Sequence, residues 1–209
     1  MNLNRKILKK FVVIEGLDGS GTTTQLSLLK TRLKTNNIPS YLTFEPTDNI
    51  IGSLIRKVLA KEHVIHPESL ARLFVSDRTE HLIGDGGIQN HLDAGEIVIS
   101  DRYIFSSHAY QSLHCDFNHI VDLNSRFPLP ELLVFLDLAP DLGQARLNSR
   151  GEEELFDNFQ AQQKVRELYL RSIGLYSGSD MKIEIIDGSE SIESISENIW
   201  EKLKQQSII

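Results

Sequence analysis

The stretch Phe11-Val12-Val13-Ile14-Glu15-Gly16-Leu17-Asp18-Gly19-Ser20-Gly21-Thr22-Thr23 decides the fold. Its first four residues are apolar without polar alternation, which predicts a strand covered on both faces. A glycine-rich turn follows, and the pattern over Thr23–Thr35 is helical. Strand, glycine-rich turn and helix in that order are the context of a phosphate-binding loop. Glycines allow backbone angles that aim several N–H groups at one phosphate, and a helix N-terminus adds a favourable field. Gly16, Gly19, Ser20, Gly21, Thr22, Thr23 and Thr24 are therefore the expected phosphate-binding residues. Thr23 stands where a hydroxyl binds Mg²⁺ in such loops. The position usually held by lysine is Thr22, so one cation is missing.

Working outward, short apolar runs at Tyr41–Phe44, Ile97–Ser100, Leu132–Leu136 and Ile183–Ile186 predict further buried strands. Helical patterns lie between them at Ile50–Ala60, Pro67–Asp93, Phe105–Leu113, Leu142–Arg150, Ala161–Tyr176 and Ile192–Gln205. The long pattern at Pro67–Asp93 has break points at Gly84, Gly86 and Gly87. Alternating strands and helices imply an α/β domain with a mostly parallel sheet, whose ligands bind beyond the carboxyl ends of the strands. Each strand there is followed by a carboxylate: Glu15, Glu45, Asp101, Asp137 and Asp187. Their convergence on one edge predicts a charged, Mg-compatible site.

The chain has 209 residues, which predicts a single domain over 1–209. Apolar residues are 40% and charged residues 24%, and no apolar run is long enough to span a bilayer. Lys plus Arg is 22 against 29 Asp plus Glu, a net charge of −7 that argues against non-specific nucleic-acid binding. Cys115 is the single cysteine, and the start of the chain lacks the apolar core of an export signal; both point to the cytoplasm. His114, Cys115 and His119 match no common zinc spacing and read as structural or solvated.

Three more motifs carry chemistry. In Leu73-Phe74-Val75-Ser76-Asp77-Arg78, Phe74 and Arg78 share one helix face. Asp101-Arg102-Tyr103 offers a metal-side carboxylate beside a phosphate-side guanidinium, whose fork suits phosphate. Arg146 and Arg150, followed by Gly151 and an acidic stretch, read as a charged, mobile flap.

Taken in order with Glu45-Pro46 and Ser107…Tyr110-Gln111, these motifs resemble the thymidylate kinase family from about Phe11 to Tyr176. The resemblance implies a P-loop NTPase-type fold: a parallel five-stranded sheet flanked by helices, with a mobile lid at about 142–157. It implies phosphorylation of dTMP by ATP with Mg²⁺, the metal held at Thr23 and Asp101. Phe74 would stack on thymine, and Arg78 would bond its O4. Ser107 and Gln111 would approach the polar edge of the base, and Tyr110 would close the 2′ side of the sugar. Asp18 would face the acceptor sugar or the metal. Glu45 would belong to the dTMP site, and Arg56 and Arg102 would hold the acceptor phosphate. Asp18, Arg102, Arg146 and Arg150 would be catalytic, the last two as lid arginines. A homodimer packed through helices is also implied. Two other readings stay open: another nucleoside or nucleotide kinase, and a nucleotide-binding homologue made weak or inactive by Thr22. The second strand is followed by Phe44-Glu45-Pro46-Thr47-Asp48-Asn49, which lacks the arginine and glycines of many bacterial members.

Overall fold

The structure, a computed structural model, describes residues 5–148 and 159–209. Strand β1 (Ile7–Gly16) is the centre of a sheet that also contains β2 (Ser40–Phe44), β3 (Ile97–Asp101), β4 (Leu129–Asp137) and β5 (Lys182–Asp187). The strand order is β2-β3-β1-β4-β5, and every neighbouring pair is parallel. The expected α/β class and five-stranded parallel sheet are both present.

Parallel neighbours require crossovers, which helices supply. They are α1 (Thr22–Thr35), α2 (Ile50–Leu59), α3 (Pro67–Ile83), α4 (Ile88–Asp93), α5 (Ile104–Tyr110), α6 (Phe117–Leu123), α7 (Pro140–Asn148), α8 (Phe159–Leu175) and α9 (Ile192–Gln205). The pleat of β1 alternates its apolar side chains between two cores. Val12 and Ile14 join Leu29 and Leu33 of α1 and Ile199 and Trp200 of α9. Phe11 and Val13 join Phe105 of α5 and Tyr169 and Ile173 of α8. Among the described residues no helix is long and apolar enough to cross a membrane.

Three differences from the sequence-based expectations have clear causes. β1 begins at Ile7, before the Lys9-Lys10 pair that breaks the apolar run. A register shift lies between Leu8 and Val12, and Lys10 has a φ of 60°. Both lysines bond Glu131 there, Lys9 through Nζ and Lys10 through its backbone N–H, each at 2.7 Å. Helix α6 was not anticipated because it has 7 residues, too few to show a period. Its N-cap is Asp116, whose carboxylate accepts from His119 N–H at 2.9 Å. The expected helix at Phe105–Leu113 is α5 followed by a single 3₁₀ turn, Gln111–Leu113.

The loop after β1 lies directly on α7. A Cβ at Gly19 would meet the Gly143 carbonyl oxygen at 2.8 Å, and one at Gly143 would meet the Asp18 carbonyl oxygen at 3.2 Å. Gly19 also has a φ of +81°, in the left-handed region. Gly19→Ala should therefore lower stability by at least about 1–2 kcal/mol for the backbone conformation, before any displacement of α7. Urea unfolding measures this; an unchanged midpoint would mean that loop and helix separate freely.

Candidate active site

Sequence makes the loop an anion cradle. Ser20 N–H donates to Leu17 O at 3.0 Å and closes the turn, and Gly21, at φ +96°, caps α1 with no side-chain bond. The first bond into α1 runs from Gln25 N–H to Gly21 O at 3.0 Å. The N–H groups of Thr22, Thr23 and Thr24 precede it and make no intrahelical bond. The Ser20 hydroxyl is buried without a partner among the described residues. The Thr22 side chain is buried, so the position normally charged is filled by a small neutral group.

Thr23 Oγ1 donates to Asp101 Oδ2 at 2.8 Å, while Asp101 Oδ1 is buried with no partner among the described residues. A hydroxyl and an unpaired carboxylate oxygen are hard donors that fit Mg²⁺. Among the described residues no cluster of three His, Cys, Asp or Glu side chains could cage a metal. The set therefore suits an ion that keeps waters and phosphate oxygens as its other ligands. The expected convergence of five carboxylates does not occur. Asp137 pairs with Arg166 at 2.6 Å, and Asp187 accepts from Ser189 N–H and Oγ. Glu15 is turned into the protein and Glu45 pairs with Arg78, leaving Asp101 beside Thr23. Their inward neighbours claim these groups more strongly than the edge does.

Beside the loop lies a cavity of about 240 Å³. Phe44, Pro46, Leu59 and Phe74 form its apolar walls. Glu45, Arg56, Arg78, Tyr110 and Gln111 supply polar atoms, and Asp18 and Arg102 join it to the loop. Phe74 and Arg78 do reach one pocket from one helix face. Gln111 Oε1 is buried without a partner among the described residues. Ser107 is not in the wall: its Oγ accepts from Arg78 Nη2 at 3.0 Å, behind the guanidinium, and Ser106 is in the wall instead.

Arg78 is buried in a dense set of acceptors. Nε and Nη2 donate to Glu45 Oε2 at 2.9 and 2.6 Å, Nη1 to Asn124 Oδ1 at 2.5 Å, and Nη2 to Tyr103 O at 3.1 Å. Burial alone would raise the Glu45 carboxyl, but Arg78 and His81 outweigh it and hold the group below its ordinary value. Arg56 likewise has protein partners: Pro46 O at 2.8 Å, Thr47 O at 2.7 Å and the exposed Asp48 carboxylate at 3.0 Å.

Arg102 ties the pocket to the loop. Its Nη1 donates to Gly16 O, Ser106 Oγ and Tyr169 OH at 3.1, 3.2 and 3.1 Å, and its Nη2 donates to Asp18 Oδ1 at 2.5 Å. Burial would lower its pKa, yet Tyr110 and Asp18 keep it well above its ordinary value. Tyr110 accepts from Asp18 N–H at 3.1 Å and lies under the Arg102 guanidinium at 5.3 Å. Arg146 of α7 donates to Gly19 O at 3.2 Å and Gly188 O at 3.3 Å, which sets it on the loop. Arg150 lies outside the described residues, as does the rest of the expected lid beyond α7.

Sequence reasoning missed Ser106, His81, Asn124, Gln162 and Tyr169. Gln162 Nε2 donates to Asp18 Oδ2 at 3.2 Å. Asp77 stood inside a quoted motif without a role; it accepts from Thr47 N–H and Oγ1 at 2.8 and 2.6 Å, holding the segment after β2. Ser106, one step from Ser107, and His81, one turn after Arg78 on the same helix, had local signals; the others depend on packing between distant elements.

An anion-cradling loop at the carboxyl edge of a parallel sheet, opening onto an arginine-lined pocket, defines a nucleotide-dependent phosphotransferase. The thymidylate kinase family profile matches residues 14–199. A relative carrying that name in Treponema pallidum (strain Nichols) is 39% identical over 204 residues, covering 95% of this chain and 97% of its own. Relatives of the same name in Methanococcus aeolicus and Pyrococcus horikoshii are 38% and 37% identical, covering 97% and 94% of this chain and 100% and 96% of theirs. The chain belongs to the thymidylate kinase family.

Two measurements follow. Arg78→Ala would leave the Glu45 carboxylate buried without its main partner, a loss of about 3–5 kcal/mol for a broken buried pair. A large drop in the urea midpoint is expected, and an unchanged midpoint would confine Arg78 to ligand binding. Burial lifts the Glu15 carboxyl from 4.5 to about 7, against the pull of Ser106 and Arg102. The folded chain then keeps a proton that the unfolded chain releases, so this contribution to stability is lost as pH rises from about 4.5 to about 7. Unfolding free energies across that window should show the decline in the parent and not in Glu15→Gln.

Proposed function

We propose that the protein transfers the terminal phosphoryl group of ATP to dTMP. The observation that carries this reading is the slot beside the phosphate loop, where Phe74, Arg78 and the unpaired Gln111 Oε1 meet. An aromatic face, a cation and a buried acceptor match a pyrimidine that carries carbonyl oxygens and one ring N–H. Phe74 stacks on thymine, Arg78 bonds its O4, and Gln111 accepts from the ring N–H, with Ser107 supporting Arg78 from behind. Tyr110, fixed through Asp18, closes the 2′ side of the sugar, which Asp18 faces. Glu45 holds Arg78 in place.

The acceptor is a phosphate already ionised near neutral pH, so no strong general base is needed. Catalysis is positioning plus neutralisation of charge on the transferred group. Gly16, Gly19, Ser20, Gly21, Thr22, Thr23 and Thr24 cradle the donor phosphates. Thr23 and Asp101 would hold Mg²⁺, which when bound neutralises phosphate charge. Arg102 orients the acceptor phosphate. Arg56 joins it by exchanging Asp48, an exposed partner, for the ligand. Arg146, already at Gly19 O, and Arg150 bring positive charge to the transferred group, and they offset the absence of a lysine at Thr22. We read residues 1–209 as one domain of a cytoplasmic homodimer; the exposed Ile50 and Leu54 of α2 and Val64 beyond it support self-association.

A coupled assay with Mg·ATP and dTMP should show turnover, and dTMP binding without turnover would leave only the nucleotide-binding reading. In the same assay Arg150→Ala should lower kcat by about a hundredfold or more with little change in dTMP affinity, the pattern of a contact made in the transition state. Parent-like turnover would place the catalytic cation elsewhere.

A further inference from the structure

We infer that Glu15, acting through Ser106 and Tyr169, is the positioning residue that fixes Arg102 for the acceptor phosphate. The inference rests on the role of Arg102 proposed above. Arg102 stands at φ +72°, a conformation that a non-glycine residue holds only when its surroundings impose it. The peptides on both sides are pinned. Arg102 N–H donates to Ile14 O at 2.9 Å, and the next N–H, of Tyr103, donates to Glu15 Oε1 at 2.8 Å. Glu15 thus sets the backbone of Arg102 from one side.

The other carboxylate oxygen sets the side chain. Ser106 Oγ and Tyr169 OH donate to Glu15 Oε2 at 2.6 and 3.0 Å. The two hydroxyls lie 2.8 Å apart and have one proton each; when Glu15 is ionised it draws these protons toward Oε2, so that oxygen lone pairs face Arg102 Nη1 at 3.2 and 3.1 Å. The carboxylate orients two acceptors without touching the guanidinium. The arrangement joins β1, α5 and α8. Packing alone does not call for a carboxylate there, since Glu15 is fully buried and an apolar side chain of its size would avoid the desolvation cost.

Glu15→Gln tests this because it keeps the size and reverses the bonds. The amide NH₂ would donate to Ser106 Oγ and Tyr169 OH, turning their protons toward Arg102, where donor would face donor. Titration calorimetry above pH 7, where the parent's Glu15 is ionised, should show dTMP binding weakened about ten- to hundredfold, the scale of a charged hydrogen bond, with ATP binding within about twofold. Tyr169→Phe, which removes one of the two acceptors, should weaken dTMP in the same direction and carries the test if the Gln variant does not fold. In an Arg102→Ala background Glu15→Gln should cost no further dTMP affinity. The inference is overturned if the folded variants bind dTMP like the parent, if ATP and dTMP weaken equally, or if the losses in the double variant add. Unchanged dTMP binding in Arg102→Ala alone would remove the role proposed for Arg102, and this inference with it.

Discussion

The Arg102 guanidinium holds the site together. It reaches the carbonyl of Gly16 and the carboxylate of Asp18, so the end of β3 grips the loop that follows β1. The grip is available because β1 and β3 are neighbours in register, Ile14 opposite Asp101, and because the left-handed turn at Arg102 folds the chain back over β1. A loop that must present bare N–H groups cannot bind itself tightly, so it needs such an external tie. The glycine-rich loop and the neighbouring pocket therefore share one structural element, the Arg102 side chain.

Arg78 and Glu45 raise a different issue. The pair is buried and hydrogen-bonded on several sides, which makes it expensive to break and gives little net stability by itself. Its value lies in orientation: with Glu45, Asn124, Tyr103 and Ser107 each taking a donor, the guanidinium has one geometry. One side chain thereby both borders the pocket and ties the elements around it together. A loss of ligand affinity on changing it is not evidence of contact unless folding is measured alongside.

Much of this was readable in the chain. The strands, their parallel arrangement and the glycine-rich turn between strand and helix were legible because buried strands and glycine-rich turns leave contiguous patterns, as at Phe11–Gly21, whereas the strand order was not. Phe74 and Arg78 were legible because helical spacing is local. Glu15, Ser106 and Tyr169 were not, since nothing in the sequence says that residues on β1, α5 and α8 meet within hydrogen-bond distance. The five strand-end carboxylates misled for the same reason: position at an edge is local, whereas Asp137 turning to Arg166 and Glu45 to Arg78 is decided by partners distant in sequence.

The contact between Gly19 and Gly143 has no side chain in it, only main chain against main chain. Such a contact has no rotamers with which to absorb a displacement. If a nucleotide shifts the loop, α7 must shift with it, and the free energy of one movement appears in the other. By reciprocity, whatever biases the position of α7 alters affinity for phosphate by the same factor. Arg146, bonded to Gly19 O from α7, tightens that linkage. Helix α7 is thus thermodynamically coupled to the glycine-rich loop even before any of its charges meets a ligand.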